Sequence, residues 1–410
     1  YVVNAGISVW TLLDAWERKP GSPLFADRAL ALPEAGNRVP DLLDEARWEI
    51  EWMLRMQIPP GETAFVPSRD GQELRRIDAG GMVNHKVGNA TWARFPLRIE
   101  DDRGERFLYP PSTAATLNLA AVAAQAARIW RTIDPTFAAR CRAAASRAFA
   151  AAIRVPDAFA EDRFEGSGGY EDDRLEDERF WAAAEIAIST HDPAAMAVLR
   201  ASQPLSSRAL SPPSWANTAA AGTVSLLRHP QGLDPALIAS QRTMLLTAAG
   251  TMLKERAAQP YGYPAPGGDT EWGSNGALLN RALLLGTAWD ITHHAPYREA
   301  ARDAMDYILG RNPLDRSYVA GYGERPVGHP HHRFWAQGLG PGLPAPPPGV
   351  LSGGPNSATM VDDVARTMKG KCAPETCWAD SPHAFTQNEV AINWNAPLVW
   401  VAAFLDGTDP

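Results

Sequence analysis

Residues 110–131, PPSTAATLNLAAVAAQAARIWR, decide the fold class. Ser112 or Thr113 is a suitable N-cap, and the alanine-rich run that follows is long enough for about five helical turns. Helices built from such small side chains approach one another closely. The segment therefore predicts an inner helix that packs against other helices.

The same helical period recurs on both sides of this segment. In residues 40–57, PDLLDEARWEIEWMLRMQ, apolar side chains lie on one helix face and charged side chains on the other. Alternating patterns long enough for a β-strand are almost absent. The sequence predicts an all-α fold in a single domain, with further helices near 135–153, 177–190, 214–227, 234–255, 274–290, 296–310 and 389–405.

Long loops connect several of these helices. Residues 59–112, 256–273 and 311–388 carry most of the glycine, proline, histidine and tryptophan. Long ordered loops on a helical scaffold commonly carry function, so we expect the functional residues there.

Composition limits the class of partner. The 410 residues are 45% hydrophobic, carry a formal net charge of −8 and include 14 tryptophans. Lysine and arginine are scattered, and no apolar run approaches the ~18 residues that span a bilayer. We therefore expect neither a nucleic-acid nor a membrane partner. Tryptophan stacks on sugar rings, although core packing also explains it.

The three cysteines fall into two groups. Cys372 and Cys377 lie in a short polar loop with Pro374, and their spacing suits a disulfide in an oxidising compartment, two free thiols or half of a metal site. Cys141 lies in an alanine-rich helical stretch and is predicted to be a buried filler.

A histidine and arginine cluster follows the predicted helix that ends at Gly310. It consists of His329, His331, His332 and Arg333. One interpretation is a zinc site, but Arg333 opposes a cation and no carboxylate is close in sequence. The other is a site for hydroxyl or carboxylate oxygens, which suits imidazole and guanidinium donors.

Glu389 has two interpretations. In TQNE, residues 386–389, it fits a capping box in which Thr386 caps a helix and Glu389 reaches back to the Thr386 amide. The helix that follows is apolar nearly all round, which places Glu389 at the buried end of an inner helix. A buried carboxylate requires a functional reason.

Acidic residues cluster at 172–178. Asp172, Asp173, Asp177 and Glu178 precede a predicted helix. They form either a solvated acidic face at a helix N-terminus or a calcium site with loop carbonyls, for which Asp173, Asp177 and Glu178 are the candidate ligands.

At these residues the sequence resembles glycoside hydrolase family nine, the inverting cellulases. A C-terminal signature is filled by Trp378, Asp380, Phe385, Glu389, Ala391, Asn395 and Ala396. A second signature ends at Pro330, His331 and Arg333 and departs from the pattern only at Ala320. The resemblance covers the whole chain and implies a six-hairpin α/α toroid with long functional loops.

The resemblance also implies roles for individual residues. Glu389 is the expected general acid, and Asp380, its neighbour, and His331 are also expected to be catalytic. His331 and Arg333 are expected to hold the sugar. Candidates for sugar stacking or hydrogen bonding are His85, Lys86, Trp92, Trp272, Tyr322 and Trp378. No cofactor is expected for catalysis, and calcium is expected only as a structural ion.

The pKa of Glu389 follows from opposing effects. A helix N-terminus favours the carboxylate, which is the wrong state for an acid. We predict that burial and the charge of Asp380 raise the pKa of Glu389 and compensate for the helix.

Family members carry an Asp-Ala-Gly-Asp segment just before the part that matches YVVNAGISVWTLL, residues 1–13. The resemblance therefore predicts a truncated first helix and a water-activating aspartate upstream of Tyr1. It also predicts an upstream signal peptide and immunoglobulin-like module. Asp78, in DAGG at 78–81, comes too late to replace that aspartate.

The leading hypothesis is a secreted or periplasmic, monomeric endo-β-1,4-glucanase that acts on cellulose or related β-glucans. A second hypothesis retains the fold and changes the substrate to an exo-acting β-glucosaminidase, which needs an extra acidic group for the ammonium. A third is a catalytically inactive sugar-binding toroid.

Overall fold

The computed structural model describes residues 1–68, 73–160, 166–202 and 209–406. The helices are α1 Val2–Arg18, α2 Asp41–Arg55, α3 Thr113–Ile129, α4 Pro135–Arg154, α5 Glu176–Thr190, α6 Pro193–Ala201, α7 Ala219–Arg228, α8 Pro235–Ala258, α9 Ser274–Thr292, α10 Ala295–Ile308, α11 Asp363–Met368, α12 Phe385–Asn388 and α13 Ile392–Asp406. Helices dominate, so the predicted all-α class is confirmed. None of the described helices has the length and apolarity that a membrane span requires.

The chain divides into two compact units. Unit 1 contains residues 1–92 and 104–246, and unit 2 contains residues 93–103 and 247–410. The short segment 93–103 therefore groups with the C-terminal part of the chain. That the units form one domain stays a prediction.

Helix α3 is the centre of unit 1, as its alanine-rich sequence predicts. Ser112 caps it, since its Oγ accepts from the Ala115 amide at 3.1 Å. Helices α1, α4 and α5 pack against it. At the α1 contact a Cβ on Gly6 would lie 2.1 Å from Asn118 Oδ1, so this close approach requires glycine.

Three small antiparallel sheets lie in the loops of unit 1. Their strands are β1 Thr63–Pro67, β2 Leu74–Asp78, β3 Val83–Asn84, β4 Val87–Asn89, β5 Arg106–Leu108 and β6 Pro111–Ser112, paired as β1–β2, β3–β6 and β4–β5. These strands were not predicted, because strands of two to five residues cannot show a clear alternation.

A buried ionic network links helices of unit 1. Arg128 of α3 donates to Glu17 of α1 and to Glu185 of α5, with Nε to Glu17 Oε1 at 2.6 Å and Nη1 to Glu185 Oε2 at 2.6 Å. The Glu185 side chain is fully buried. Burial opposes ionisation of Glu17, but the charge of Arg128 outweighs it and holds the Glu17 pKa well below its usual range.

Unit 2 is built on α9, α10 and α13, which pack against one another. Gly286 of α9 makes room for α13, because a Cβ there would lie 2.8 Å from the Trp400 ring. Cys372 and Cys377 form a disulfide beside α11, which selects one of the three predicted alternatives. Cys141 is buried in α4, as predicted.

Candidate active site

Glu389 lies between two helices of unit 2. Helix α12 ends at Asn388, Glu389 is extended with φ −63° and ψ 156°, and α13 begins at Ile392. The capping box predicted for residues 386–389 is wrong. The Thr386 amide and hydroxyl both donate instead to Asp362, the N-cap of α11, which leaves the Glu389 carboxyl free of a capping role.

Two neighbouring segments fix the backbone of Glu389. The Gly353 amide donates to the Glu389 carbonyl at 2.8 Å. On the other side, Glu389 and His331 form a parallel β-bridge in which the His331 amide donates to the Asn388 carbonyl at 2.7 Å. The position of Glu389 relative to His331 is therefore set by backbone hydrogen bonds.

The Asn388 side chain adds a second link between the same segments. Its amide nitrogen donates to the His329 carbonyl at 2.6 Å. Its amide oxygen accepts from the Ser352 hydroxyl at 2.7 Å, and Ser352 in turn accepts from the Trp378 indole at 3.1 Å. All of these side chains are buried, so the network holds the loop next to Glu389 in one arrangement.

The Glu389 carboxyl is half-buried, and its pKa is shifted toward neutrality. Burial raises the pKa to about 7, against a hydrogen bond from Trp272 and the charge of Arg333, which both lower it. The predicted direction is therefore confirmed and burial is its cause. Asp380 is not among the groups that shift it, so that part of the prediction is wrong. The carboxyl is therefore about half protonated near pH 7.

His331 is a neutral hydrogen-bonding group beside this acid. Its Nδ1 lies 2.6 Å from the Pro382 carbonyl, which accepts only, so Nδ1 carries the proton and Nε2 is left as an acceptor. Burial lowers the pKa of His331, with a further lowering from Arg333 and His383. A neutral imidazole with a free Nε2 lone pair can accept a hydrogen bond from a sugar hydroxyl.

Arg333 completes the cluster. Its Nε donates to the Ala93 carbonyl at 3.2 Å, and its charge acts on Glu389. The acid cluster, defined as Trp272, His331, Arg333 and Glu389, thus combines a protonatable carboxyl with hydrogen-bonding groups of both kinds.

Asp380 holds the histidine-bearing loop and is itself engaged. Its Oδ2 accepts from Arg316 at 2.8 Å and from the Gly328 amide at 2.9 Å, and its Oδ1 accepts from the His329 amide at 2.8 Å. With both oxygens used in this way, Asp380 positions residues 328–329. The geometry gives it a supporting role where the sequence predicted a catalytic one.

The predicted aromatic residues of unit 2 differ in exposure. Trp272 and Tyr322 are exposed, so their rings are available to a ligand. Trp378 is only 6% exposed and packs edge-on against Tyr318. The prediction that Trp378 contacts sugar is corrected, since its ring is buried and its indole N–H is used by Ser352.

The remaining sugar-binding candidates belong to unit 1. Trp92 is 59% exposed. His85 and Lys86 are buried: His85 Nδ1 lies 2.9 Å from Ser112 Oγ, and Lys86 Nζ donates to the Gly168 carbonyl at 2.6 Å over the Tyr109 ring. Burial lowers the pKa of His85 to about 4. Both side chains are part of the packed interior, contrary to the predicted surface role.

The predicted calcium ligands are not gathered as a trio. Asp173 is exposed, Asp177 accepts from the Thr218 amide at 2.7 Å, and Glu178 is buried. Asp172, not Asp173, lies beside Glu178. Within the described ranges, no group of three histidine, cysteine or acidic side chains could hold a metal ion.

The absence of a metal-binding group among the described residues also applies to the zinc site that was one interpretation of the histidine cluster. His332 Nδ1 accepts from the amides of Phe334 and Trp335, and burial lowers its pKa to about 4. His329 is exposed, and its backbone is held by Asp380 and Asn388. The structure thus favours the oxygen-binding interpretation of this cluster.

The comparisons with known proteins identify the family. Residues 1–402 match the profile of glycosyl hydrolase family 9. The chain belongs to glycosyl hydrolase family 9.

Relatives within family 9 are similar along the whole chain. A cellulose 1,4-beta-cellobiosidase of Acetivibrio thermocellus is 37% identical over 100% of this chain and 48% of its own length. Endoglucanase C of Cellulomonas fimi is 40% identical over 99% of this chain and 36% of its own length. The chain therefore spans about half or less of these curated relatives.

A solved family 9 structure has the same fold. A metagenome-derived endoglucanase of the family is 34% identical and matches 99% of this chain and 69% of its own with a TM-score of 0.85. The fold class implied by the resemblance, the α/α toroid of family 9, is confirmed by this likeness.

Two residues of the site were missed by sequence reasoning. Phe95 comes from a loop far away in sequence and stacks on His331, with ring centroids 4.7 Å apart. Asn388, adjacent to Glu389, carries the network described above. Asn388 had a signal in the sequence, since a polar residue beside a buried acid needs partners. Phe95 had only its place in the long loop 59–112.

Proposed function

We propose that this family 9 chain cleaves β-1,4-glucosidic bonds in cellulose or related β-glucans, with Glu389 as the general acid. The observation that carries the proposal is a half-buried carboxyl whose pKa is raised to about 7, held beside His331 and Arg333. A general acid works best when its pKa lies near the working pH.

The chemistry follows from these groups. Protonated Glu389 gives its proton to the glycosidic oxygen as the bond from that oxygen to the anomeric carbon breaks. His331 accepts a hydrogen bond from a sugar hydroxyl through Nε2, and Arg333 donates to sugar oxygens. In an inverting reaction a second carboxylate about 6.5–9.5 Å away activates water on the opposite face of the sugar.

The origin of that second carboxylate stays a prediction. The family resemblance places it before Tyr1. Asp78 is disfavoured as a substitute, because its carboxylate pairs with Arg154 at 3.1 Å and accepts from the Gly80 amide at 3.0 Å.

A glucan substrate suits the exposed aromatic rings of unit 2. Trp272 and Tyr322 are 39% and 57% exposed, and flat rings pack against the apolar faces of glucosyl units. The names of the cellobiosidase and endoglucanase relatives support a cellulosic substrate.

The glucosaminidase alternative is less well supported. It needs a free carboxylate for an ammonium group, whereas the groups that shift the Glu389 pKa are Trp272 and the cation Arg333. Asp380 already pairs with Arg316. A catalytically inactive toroid needs no raised pKa, so the state of Glu389 also favours an enzyme.

Calcium is proposed only as a structural ion near the start of α5. Glu178 is buried, and after burial the charges of Asp177 and Asp172 raise its pKa further. Such a group is stabilised by a proton or by a cation. Asp177 and Glu178 would hold the ion together with loop carbonyls.

The disulfide supports secretion or export to a periplasm, because such bonds persist in oxidising compartments. We propose that the protein acts there as a monomer.

The deciding experiment uses the full-length protein, with the predicted aspartate before Tyr1 in place. It measures reducing ends released from carboxymethylcellulose and, by NMR, the anomer formed from cellotetraose. Glu389→Gln is expected to lower kcat by about 10²- to 10⁴-fold while oligosaccharide binding persists. Glu299→Gln, at an exposed position on α10, is the matched control and retains activity. Unchanged turnover in Glu389→Gln would remove this residue from the mechanism.

A further inference from the structure

Residues 93–103 have an unusual place in the fold. They are flanked in sequence by residues of unit 1 and yet group with unit 2. Within unit 2 they contact the histidine and arginine of the acid cluster. The sequence predicted function for the long loop 59–112 that contains them, but it singled out none of these residues.

The backbone of this segment is fastened to Arg333 on both sides of Phe95. The Leu97 amide donates to the Arg333 carbonyl at 3.1 Å. The Arg333 Nε donates to the Ala93 carbonyl at 3.2 Å. The backbone is therefore anchored two residues before Phe95 and two residues after it. These anchors fix the point from which the Phe95 ring extends.

The Phe95 ring lies flat against His331. The two rings are nearly parallel, with centroids 4.7 Å apart and an interplanar angle of 13°. Phe385 contacts the same imidazole at a tilt, 5.7 Å away, and His383 meets the Phe95 ring edge-on at 5.5 Å. His331 is thus held by aromatic neighbours in addition to its hydrogen bond.

The contact of Phe95 with His331 restricts a motion of the imidazole that the hydrogen bond to Pro382 leaves open. The bond from Nδ1 to the Pro382 carbonyl fixes one atom of the imidazole, but the ring can still tilt about the line joining the two atoms. A flat ring against one face blocks that tilt. Once the plane is fixed, Nε2 keeps a single direction relative to Glu389.

We propose that Phe95 is a positioning residue that orients His331 for the sugar. The proposal rests on the proposed function for its catalytic consequence, but the orientation of His331 can be measured without turnover. Phe95 acts through the imidazole and takes no part in proton transfer.

The test compares Phe95→Leu, which removes the ring, with Phe95→Tyr, which retains it. Phe65→Leu is the control, because Phe65 is an exposed phenylalanine of β1 in unit 1. Long-range ¹H–¹⁵N NMR of the histidine side chains reports the tautomer and pKa of His331, with its signal assigned through His331→Gln. Cello-oligosaccharide kinetics report kcat/KM.

In Phe95→Leu we expect the Nδ1–H tautomer of His331 to persist, because the Pro382 carbonyl sets it, whereas the NOEs from the imidazole protons to Phe385 should change as the ring tilts. The pKa of His331 should rise toward its ordinary value of 6.5, because water reaches the ring. Arg333, His383 and Asp362 also act on this group and are unchanged in all three variants. We expect kcat/KM to fall about 10- to 100-fold, since a small misplacement of a binding group carries a cost of that order. Phe95→Tyr and Phe65→Leu should stay within about twofold, as substitutions that leave the site geometry intact.

Unaltered imidazole NOEs and an unaltered His331 pKa in Phe95→Leu would overturn the proposal, whatever the kinetics show. If Phe95→Leu fails to fold, Phe95→Met, which also removes the ring, is measured in its place with the same two outcomes. Absence of hydrolysis by the full-length protein, with the predicted aspartate before Tyr1 in place, would count against the proposed function alone.

Discussion

Glu389 and His331 are joined through their backbones in a parallel β-bridge, with the His331 amide 2.7 Å from the carbonyl of the residue before Glu389. Two segments separated by more than fifty residues are thereby held in register. A group that donates a proton and a group that binds the sugar need such fixed spacing. Backbone pairing provides it without depending on flexible side chains.

Asn388 should be essential for holding the His331 segment against the Glu389 segment. Asn388→Ala leaves the His329 carbonyl and the Ser352 hydroxyl without their buried partner, at a cost of about 1–3 kcal/mol in the free energy of unfolding. Urea denaturation measures that loss, and kcat should fall with it. Ser352→Ala breaks the bond to Asn388 and also leaves the buried Trp378 indole without its acceptor, so we expect a comparable loss. Full stability and activity in Asn388→Ala would contradict the network.

Asp380 should act by holding a loop. Asp380→Asn retains the shape of the side chain and can still accept a hydrogen bond from one amide at 328–329, but it loses the charge that pairs with Arg316. We expect kcat/KM to fall about tenfold, as for a modest displacement of binding groups. A loss as deep as that of Glu389→Gln would instead show a direct part in proton transfer.

The Arg128 network should dominate charge effects on the stability of unit 1. Arg128→Met strands Glu17 and the fully buried Glu185, with an expected loss of about 3–5 kcal/mol. Arg140→Met is the control, because the ion pair of Arg140 with Glu51 is exposed and such pairs contribute about 0–1 kcal/mol. If urea denaturation gave equal losses in the free energy of unfolding for Arg128→Met and Arg140→Met, the buried network would contribute no more than the exposed ion pair, contrary to this prediction.

Glu389 should lower stability at alkaline pH. The folded carboxyl titrates near 7 and the unfolded one near 4.5, so ionisation favours the unfolded chain. The stability present below pH 4.5 is lost as pH rises through about 7. Glu389→Gln should therefore be more stable than the unmodified protein at pH 8, by about 1–3 kcal/mol, and no more stable at pH 4. Calorimetry at both pH values tests the sign.

The sequence predicted most helices because their signals are local. The alanine-rich run after Ser112 became α3 with the expected cap, and 234–255 became α8. Residues 2–13, whose sequence is typical of a buried helix, belong to α1, which has buried residues along most of its length. The predicted helix at 214–227 begins only at Ala219, and α6 was missed, so boundaries and short helices were less predictable.

The site was predictable only where its residues lie close in sequence. The family signatures located Glu389, His331 and Arg333, and the structure brings these together. The capping box failed because Asp362, more than twenty residues away, takes both donors of Thr386. Trp378, His85 and Lys86 were assigned to sugar although they are buried, because burial depends on tertiary packing that no local pattern records.

The most direct test of the account is the pKa of Glu389 itself. A ¹³C NMR titration of glutamate side-chain carboxyls, with the Glu389 signal identified by its absence in Glu389→Gln, measures it in the folded protein. We expect a value near 7, so that the proton is still available at neutral pH. A value at or below 4.5 would show an ionised carboxylate and would contradict Glu389 as the proton donor.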